Sequence, residues 1–93
     1  LLKNTVKNKI YIIGGYHVLS NGNEISSDEV IIYNPVIDSY EPNGAAIPTA
    51  IDDQTQCVWR DSLIYVITGW SNTANVPKVQ IYNPSLDAWS QGT

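Results

Sequence analysis

The chain has the composition of one small globular domain. Of its 93 residues, 43% are apolar and 15% are charged, which is enough apolar material for a core and argues against wholesale disorder. The net charge of −4 disfavours a nucleic-acid partner, and the absence of an 18-residue apolar run disfavours a membrane-spanning helix. A lone cysteine, Cys57, excludes a disulfide scaffold.

The first half of the chain predicts four short strands, at residues 2–6, 9–14, 29–33 and 38–41. These runs are rich in Ile, Val and Tyr and end at Gly, at Asn-Pro or at Asp, the composition and punctuation of β-strands. Residues 16–28, between the second and third strands, are predicted to form a loop. The boundary with the second half is placed between residues 46 and 47.

The second half predicts strands at residues 54–59, 63–68, 77–82 and 87–91, with a shorter loop at 70–75. No ten-residue stretch has the 3.6-residue apolar period of a helix, so none is predicted. Cys57 lies in an apolar strand and is predicted to be a small buried hydrophobe. Trp59 and Trp89 are predicted to lie in the core.

The two halves repeat each other. Residues 10–16 align with residues 64–70, and residues 32–40 align with residues 81–89. The two offsets differ because the loop between the second and third strands is five residues shorter in the second half. A period near 50 residues is typical of a propeller blade or a solenoid unit. We therefore assign one blade to residues 1–46 and one to residues 47–93, both within one propeller domain.

The repeated residues resemble the kelch motif, in which a strand ending in Gly-Gly is followed by a Tyr and, after six residues, by a Trp. The positions that match this pattern are Gly14, Gly15, Tyr33 and Tyr40 in the first repeat, and Gly69, Tyr82 and Trp89 in the second. Three positions depart from it: Thr68 replaces a glycine, Tyr40 replaces the Trp, and Ile51 stands where an Arg is common. The resemblance implies an all-β fold of two four-stranded antiparallel kelch-type blades, which form an incomplete β-propeller ring.

Two blades do not close a ring, because propellers have about four to eight blades. A single repeat also cannot bury its apolar face without neighbours. We therefore expect further blades as partners, supplied by a longer parent chain or by further copies of this chain.

The connections of a meander alternate between the two ends of its strands, so both strand-2/3 loops and the inter-blade linker are expected at one end. Loops carried on a rigid scaffold are the common place for binding residues. The candidate ligand-binding residues on these loops are His17, Asn21, Glu24, Trp70 and Asn72. An aromatic ring beside amides and carboxylates suits a sugar ring or a peptide.

No catalytic residue, metal site or cofactor is predicted. The one His and the one Cys are not placed beside a nucleophile, and the acidic pairs at residues 28–29 and 52–53 lack the spacing of an EF-hand. The favoured hypothesis is a non-catalytic recognition or scaffold module, which binds a protein or glycan through the strand-2/3 and inter-blade loops. No nucleic-acid or membrane partner is expected.

The alternative is a fragment of a carbohydrate-active propeller enzyme. The kelch resemblance allows an oxidase-like or mutarotase-like activity whose catalytic residues lie in other blades, so the sequence leaves enzyme status open. Low charge and loops rich in Asn, Ser and Thr favour an extracellular or periplasmic location over a cytoplasmic one.

Overall fold

The computed structural model describes residues 2–92, and its regular secondary structure consists of β-strands. Their bounds are β1 (Leu2–Val6), β2 (Lys9–Ile13), β3 (Tyr16–Val18), β4 (Glu24–Ser26), β5 (Val30–Asn34), β6 (Ser39–Glu41), β7 (Thr55–Trp59), β8 (Leu63–Ile67), β9 (Trp70–Ser71), β10 (Ala74–Asn75), β11 (Val79–Asn83) and β12 (Ala88–Gly92). Two four-stranded sheets, with the orders β1-β2-β5-β6 and β7-β8-β11-β12, form the blades. All neighbouring strands in them are antiparallel. The predicted all-β blade architecture is confirmed.

Each of the two predicted strand-2/3 loops contains a short hairpin that the sequence analysis did not predict. In the first blade β3 pairs with β4, and in the second β9 pairs with β10. The first hairpin closes through Leu19, whose N–H donates to the Asn23 carbonyl at 2.7 Å, and through Gly22, which has a φ of 89°. Strands of two or three residues are too short to show an alternating pattern in the sequence. The five extra residues of the first repeat lengthen this hairpin.

The core lies between one face of each blade, where β1 runs beside β7. Apolar side chains from both sheets and from the connecting segment form one cluster; its members include Val6, Tyr11, Ile13, Val30, Ile47, Ile51, Ile64, Val66 and Tyr82. Across this interface the Gln56 side-chain amide donates to Asn4 Oδ1 at 2.5 Å. The two blades therefore share one core, as repeats that cannot bury their faces alone are expected to do.

The glycines of the kelch pattern lie where the linker crosses the ends of β2 and β8. Gly14 has a φ of +69°, and a Cβ there would lie 2.6 Å from the Ile51 carbonyl oxygen. Gly69 has a φ of +113°, and its Cβ would lie 2.7 Å from the Asp52 carbonyl oxygen. Thr68, where the pattern has a glycine, keeps a positive φ of 53°, a conformation that is strained for a β-branched residue. Ile51, at the position where an Arg is common, is fully buried.

The aromatic pair of the second blade binds the chain that leaves the first blade. The Tyr82 hydroxyl donates to Asp87 at 2.6 Å, and Asp87 accepts the Ala45 N–H at 2.7 Å. The Trp89 indole N–H donates to the Ala45 carbonyl at 2.8 Å. Burial raises the pKa of Tyr82, and the Tyr82 hydroxyl together with the Ala45 N–H lowers the pKa of Asp87. These contacts join the motif of one blade to the linker of the other.

The matching group in the first blade is not covered. The Tyr33 hydroxyl donates to Asp38, and the Tyr33 ring packs edge-on against Tyr40 with centroids 5.2 Å apart. Tyr40 is nevertheless 68% exposed, because no further segment within residues 2–92 packs on this face.

Two burial predictions for β7 are wrong. Cys57 is exposed, and Trp59 is 48% exposed. The strand alternates, so that Gln56 and Val58 face the first blade while Cys57 and Trp59 point to the opposite face of the sheet. The Arg60 guanidinium lies 4.6 Å above the Trp59 ring centroid, a cation–π contact at the surface. Trp89, by contrast, is partly buried against the core.

Candidate functional site

The two short hairpins and the linker meet at one end of the blades. Asp52, in the linker, pairs with Trp70 through two backbone hydrogen bonds: its N–H donates to the Trp70 carbonyl at 2.8 Å, and the Trp70 N–H donates back at 2.7 Å. The linker is thereby fixed to the second hairpin. This agrees with the expected grouping of the strand-2/3 segments and the linker.

Ser26 joins the first hairpin to the second. Its N–H donates to Asn72 Oδ1 at 2.8 Å, and its hydroxyl oxygen accepts the Asn72 N–H at 2.8 Å. The same hydroxyl donates to Asp52 Oδ2 at 2.9 Å. Asn72 has a φ of 54°, a left-handed conformation that Asn tolerates better than most residues. Three segments are thus held together by one network.

A cleft of about 500 Å³ lies beside this network. It is lined by Tyr16, Glu24, Ser26, Asp52, Asp53, Trp70 and Asn72. Three of the five residues singled out from the sequence, Glu24, Trp70 and Asn72, are brought together here. The volume lies within the range of small-ligand pockets, about 300–1,000 Å³.

The other two candidates lie outside the cleft lining. In the first hairpin, Tyr16 is paired with Ser26 and His17 with Ile25, so His17 points to the opposite face of the ribbon from Tyr16. The His17 imidazole contacts the Glu29 carboxylate at 2.7 Å. Asn21 lies in the turn of the hairpin, where its side-chain oxygen accepts the Asn23 N–H at 2.9 Å.

Four lining residues were not among the sequence candidates: Tyr16, Ser26, Asp52 and Asp53. Tyr16 aligns with Trp70 in the repeat, and that correspondence was a signal sufficient to find it. Ser26 has no such signal, because its role depends on contact with Asn72, 46 positions away in the sequence.

Two exposed aromatic rings border the cleft. Tyr16 is 54% exposed and Trp70 is 38% exposed. The Trp70 indole N–H donates to the Asn72 carbonyl at 2.8 Å, which orients the ring. A ring held in place loses less side-chain entropy when a ligand packs against it.

The charge of the cleft lining is entirely acidic. Glu24, Asp52 and Asp53 contribute carboxylates, and no Lys, Arg or His is among the lining residues. Three of the five basic residues, Lys7, Lys9 and Arg60, lie at the opposite, hairpin-tip end of the blades, where Lys9 forms an ion pair with Glu41 at 2.9 Å.

Within residues 2–92, no group of three or more His, Cys, Asp or Glu side chains is arranged to hold a metal ion. The same part of the chain has no helix of the length and apolarity needed to cross a membrane.

Comparisons with known proteins agree with this fold. Residues 4–42 match the family model of the Kelch motif, and this range covers the four-stranded sheet of the first blade apart from the start of β1. A solved structure described as "Structure of YjhT" superposes with a TM-score of 0.84 at 15% sequence identity. The match covers 97% of this chain and 35% of that chain, so the present sequence spans about a third of the YjhT length. No curated protein sequence matches.

The chain therefore has the fold of β-propeller blades, and its first blade matches the Kelch motif. The Kelch-motif match lies on the first blade, and the second blade repeats the strand order and the aromatic pair of the first.

Proposed function

We propose that these blades belong to a non-catalytic recognition module, which binds a protein or glycan partner at the cleft between the two short hairpins. The observation that carries the proposal is the cleft itself. Two partly exposed aromatic rings, those of Tyr16 and Trp70, and several polar groups line the cleft. The cleft is formed by segments between the blade strands, which a rigid sheet holds in place. Convergent polar groups beside aromatic rings are typical of ligand pockets.

A carbohydrate-active enzyme remains the alternative from the sequence, but no specific contact among residues 2–92 favours it. The lone His17 pairs with Glu29 rather than with a cleft residue. The cleft within residues 2–92 supports the recognition role.

The chain offers a matched pair of exposed tryptophans for a test. Trp70 borders the cleft, whereas Trp59 lies at the other end of its blade. We expect a peptide array and a glycan array probed with the chain to identify binders that Trp70→Ala loses and Trp59→Ala retains. Truncating one central aromatic of a binding site costs about 2 kcal/mol or more, so the loss should exceed tenfold in affinity.

Circular dichroism should show that both variants keep their strand content. Binding that survives in Trp70→Ala and disappears in Trp59→Ala would place the binding surface at the opposite end and contradict the proposal.

A further inference from the structure

Asp52 is a buried carboxylate whose hydrogen bonds are only partly satisfied. It is 8% exposed and lines the cleft. The Ser26 hydroxyl donates to its Oδ2 at 2.9 Å, while no group among residues 2–92 donates to Oδ1. A carboxylate has about four acceptor positions, and Oδ1, which is not among the fully buried unpartnered atoms of the described residues, is open to the cleft. The site is therefore suited to a ligand that brings hydrogen-bond donors.

Two more carboxylates lie in the same cleft, those of Glu24 and Asp53. No side chain with a positive charge balances them in the lining. Like charges gathered in one cleft repel each other, and a ligand with positive charge relieves that repulsion. An anionic sugar or an acidic peptide would increase it.

The aromatic rings favour the same ligand chemistry. Tyr16 and Trp70 line the cleft with partly exposed rings, and an aromatic face attracts a cation within about 6 Å of its centroid. The hydrogen bond from the indole N–H to Asn72 holds the Trp70 ring in place. Carboxylates and aromatic rings together bind guanidinium and ammonium groups by ion pairing and by stacking.

The wider charge distribution adds to this local field. The cleft end of the blades carries five Asp and Glu side chains with two lysines, whereas the hairpin-tip end carries four acids with three basic residues. The larger acidic excess at the cleft end attracts a cationic ligand towards that end before contact is made.

We propose that the cleft binds a basic side chain, an arginine or a lysine, presented by a protein partner. This inference rests on the proposed function and narrows it to one ligand chemistry. The cation lies between the carboxylates, donates to Asp52 Oδ1, and packs its charged group against an aromatic ring. The volume of about 500 Å³ leaves space for backbone beside the bound side chain.

A titration monitored by ¹H–¹⁵N NMR tests the proposal. The probe is a blocked pentapeptide with one arginine among glycines, and its matched control carries citrulline, which has the same shape without the charge. We expect the arginine peptide to shift the Trp70 indole and Asn72 amide signals, and the citrulline peptide to leave them unchanged. NMR is chosen because it detects the weak binding expected of one side chain.

Three variants test how binding of the arginine peptide depends on individual carboxylates. Glu24→Gln and Asp53→Asn should each weaken the arginine peptide about two- to fivefold, the range for a solvent-exposed ion pair, and added salt should weaken binding to the wild type as well. Asp28→Asn removes a carboxylate at the same end that does not line the cleft, so it should weaken binding less than either lining variant does. Unperturbed spectra elsewhere show that each variant is folded.

The outcomes separate this inference from the proposed function. Equal shifts with citrulline, or tighter binding of N-acetylglucosamine, a neutral sugar, than of the arginine peptide, would overturn the inference while the cleft stays a binding site. Shifts confined to residues around Trp59 would overturn both.

Discussion

At the scale of single residues, Gly14 shows how the close approach of a neighbouring segment limits which residue a backbone position can hold. A side chain at this position meets two separate penalties. Its φ of +69° disfavours L-residues, and its Cβ would lie 2.6 Å from the Ile51 carbonyl oxygen. We expect Gly14→Ala to lower the free energy of unfolding by more than about 2 kcal/mol, since the conformation alone costs about 1–2 kcal/mol. Urea denaturation measures the difference.

Gly22 is the matched control for that prediction. Its φ is +89°, but no heavy atom lies within 4 Å of the Cβ position. Gly22→Ala should therefore cost only the conformational part, about 1–2 kcal/mol. Equal losses in the two variants would show that the approach of the linker to Gly14 is unimportant.

At the scale of structural elements, the two blades offer the same Tyr–Asp pair in two environments. Asp87 accepts hydrogen bonds from Tyr82 and from the Ala45 N–H, whereas Asp38 accepts one from Tyr33 alone. Both aspartates have nearly the same positive φ, 48° and 49°, so replacement by Ala strains the backbone equally.

We expect Asp87→Ala to destabilise the chain by about 1 kcal/mol more than Asp38→Ala, the net value of one hydrogen bond. Guanidinium denaturation of the two variants provides the comparison. A larger loss in Asp38→Ala would contradict the assignment of Asp87 as the link between blade and linker.

The same contacts make this link sensitive to acid. The hydrogen bonds from Tyr82 and Ala45 lower the pKa of Asp87 below its ordinary value of 3.8. Because the folded state has the lower pKa, the stabilisation is complete above the unfolded value and is lost as pH falls through the folded one. Between about pH 5 and pH 3, Asp87→Ala should therefore lose less stability than the wild type. Glu41, whose pKa is lowered by Lys9, is present in both and cancels from the comparison.

At the scale of the whole molecule, the two outer faces repeat the two faces that form the core. Tyr33 and Tyr40 on the outer face of the first blade correspond to Tyr82 and Trp89, which are packed inside. On the outer face of the second blade, Tyr65 and Ile81 correspond to Tyr11 and Ile32, which are buried. One copy can thus stack head to tail on the next with the packing found between the blades.

We therefore expect the 93-residue chain to associate as its concentration rises, which light scattering on a sizing column measures. Tyr40→Lys should reduce the association because it places a charge on the outer face of the first blade. Leu86→Lys is the control, since Leu86 is exposed in a hairpin turn rather than on a blade face. A monomer at all concentrations would contradict the prediction.

Much of the fold could be predicted from the sequence because its signals are local. The eight blade strands follow from short runs of Ile, Val and Tyr with turn residues between them, and their observed ends lie within two residues of the prediction. The internal repeat added the blade architecture, because Gly15 and Tyr33 recur as Gly69 and Tyr82 at matching positions. Of the candidate site, the sequence located the end of the blades and three of the residues that line the cleft.

The remainder depended on contacts between distant segments. The burial of Cys57 and Trp59 could not be predicted from the sequence. Alternation along a strand shows which residues share a face, but it does not show which face packs against the other blade. It grouped His17 with Trp70, but the pairing of β3 with β4 turns His17 towards Glu29. The tertiary structure alone made Ser26 and Asp52 part of the cleft, because the hydrogen bonds that join them to Asn72 and Trp70 form only when the linker lies between the two hairpins.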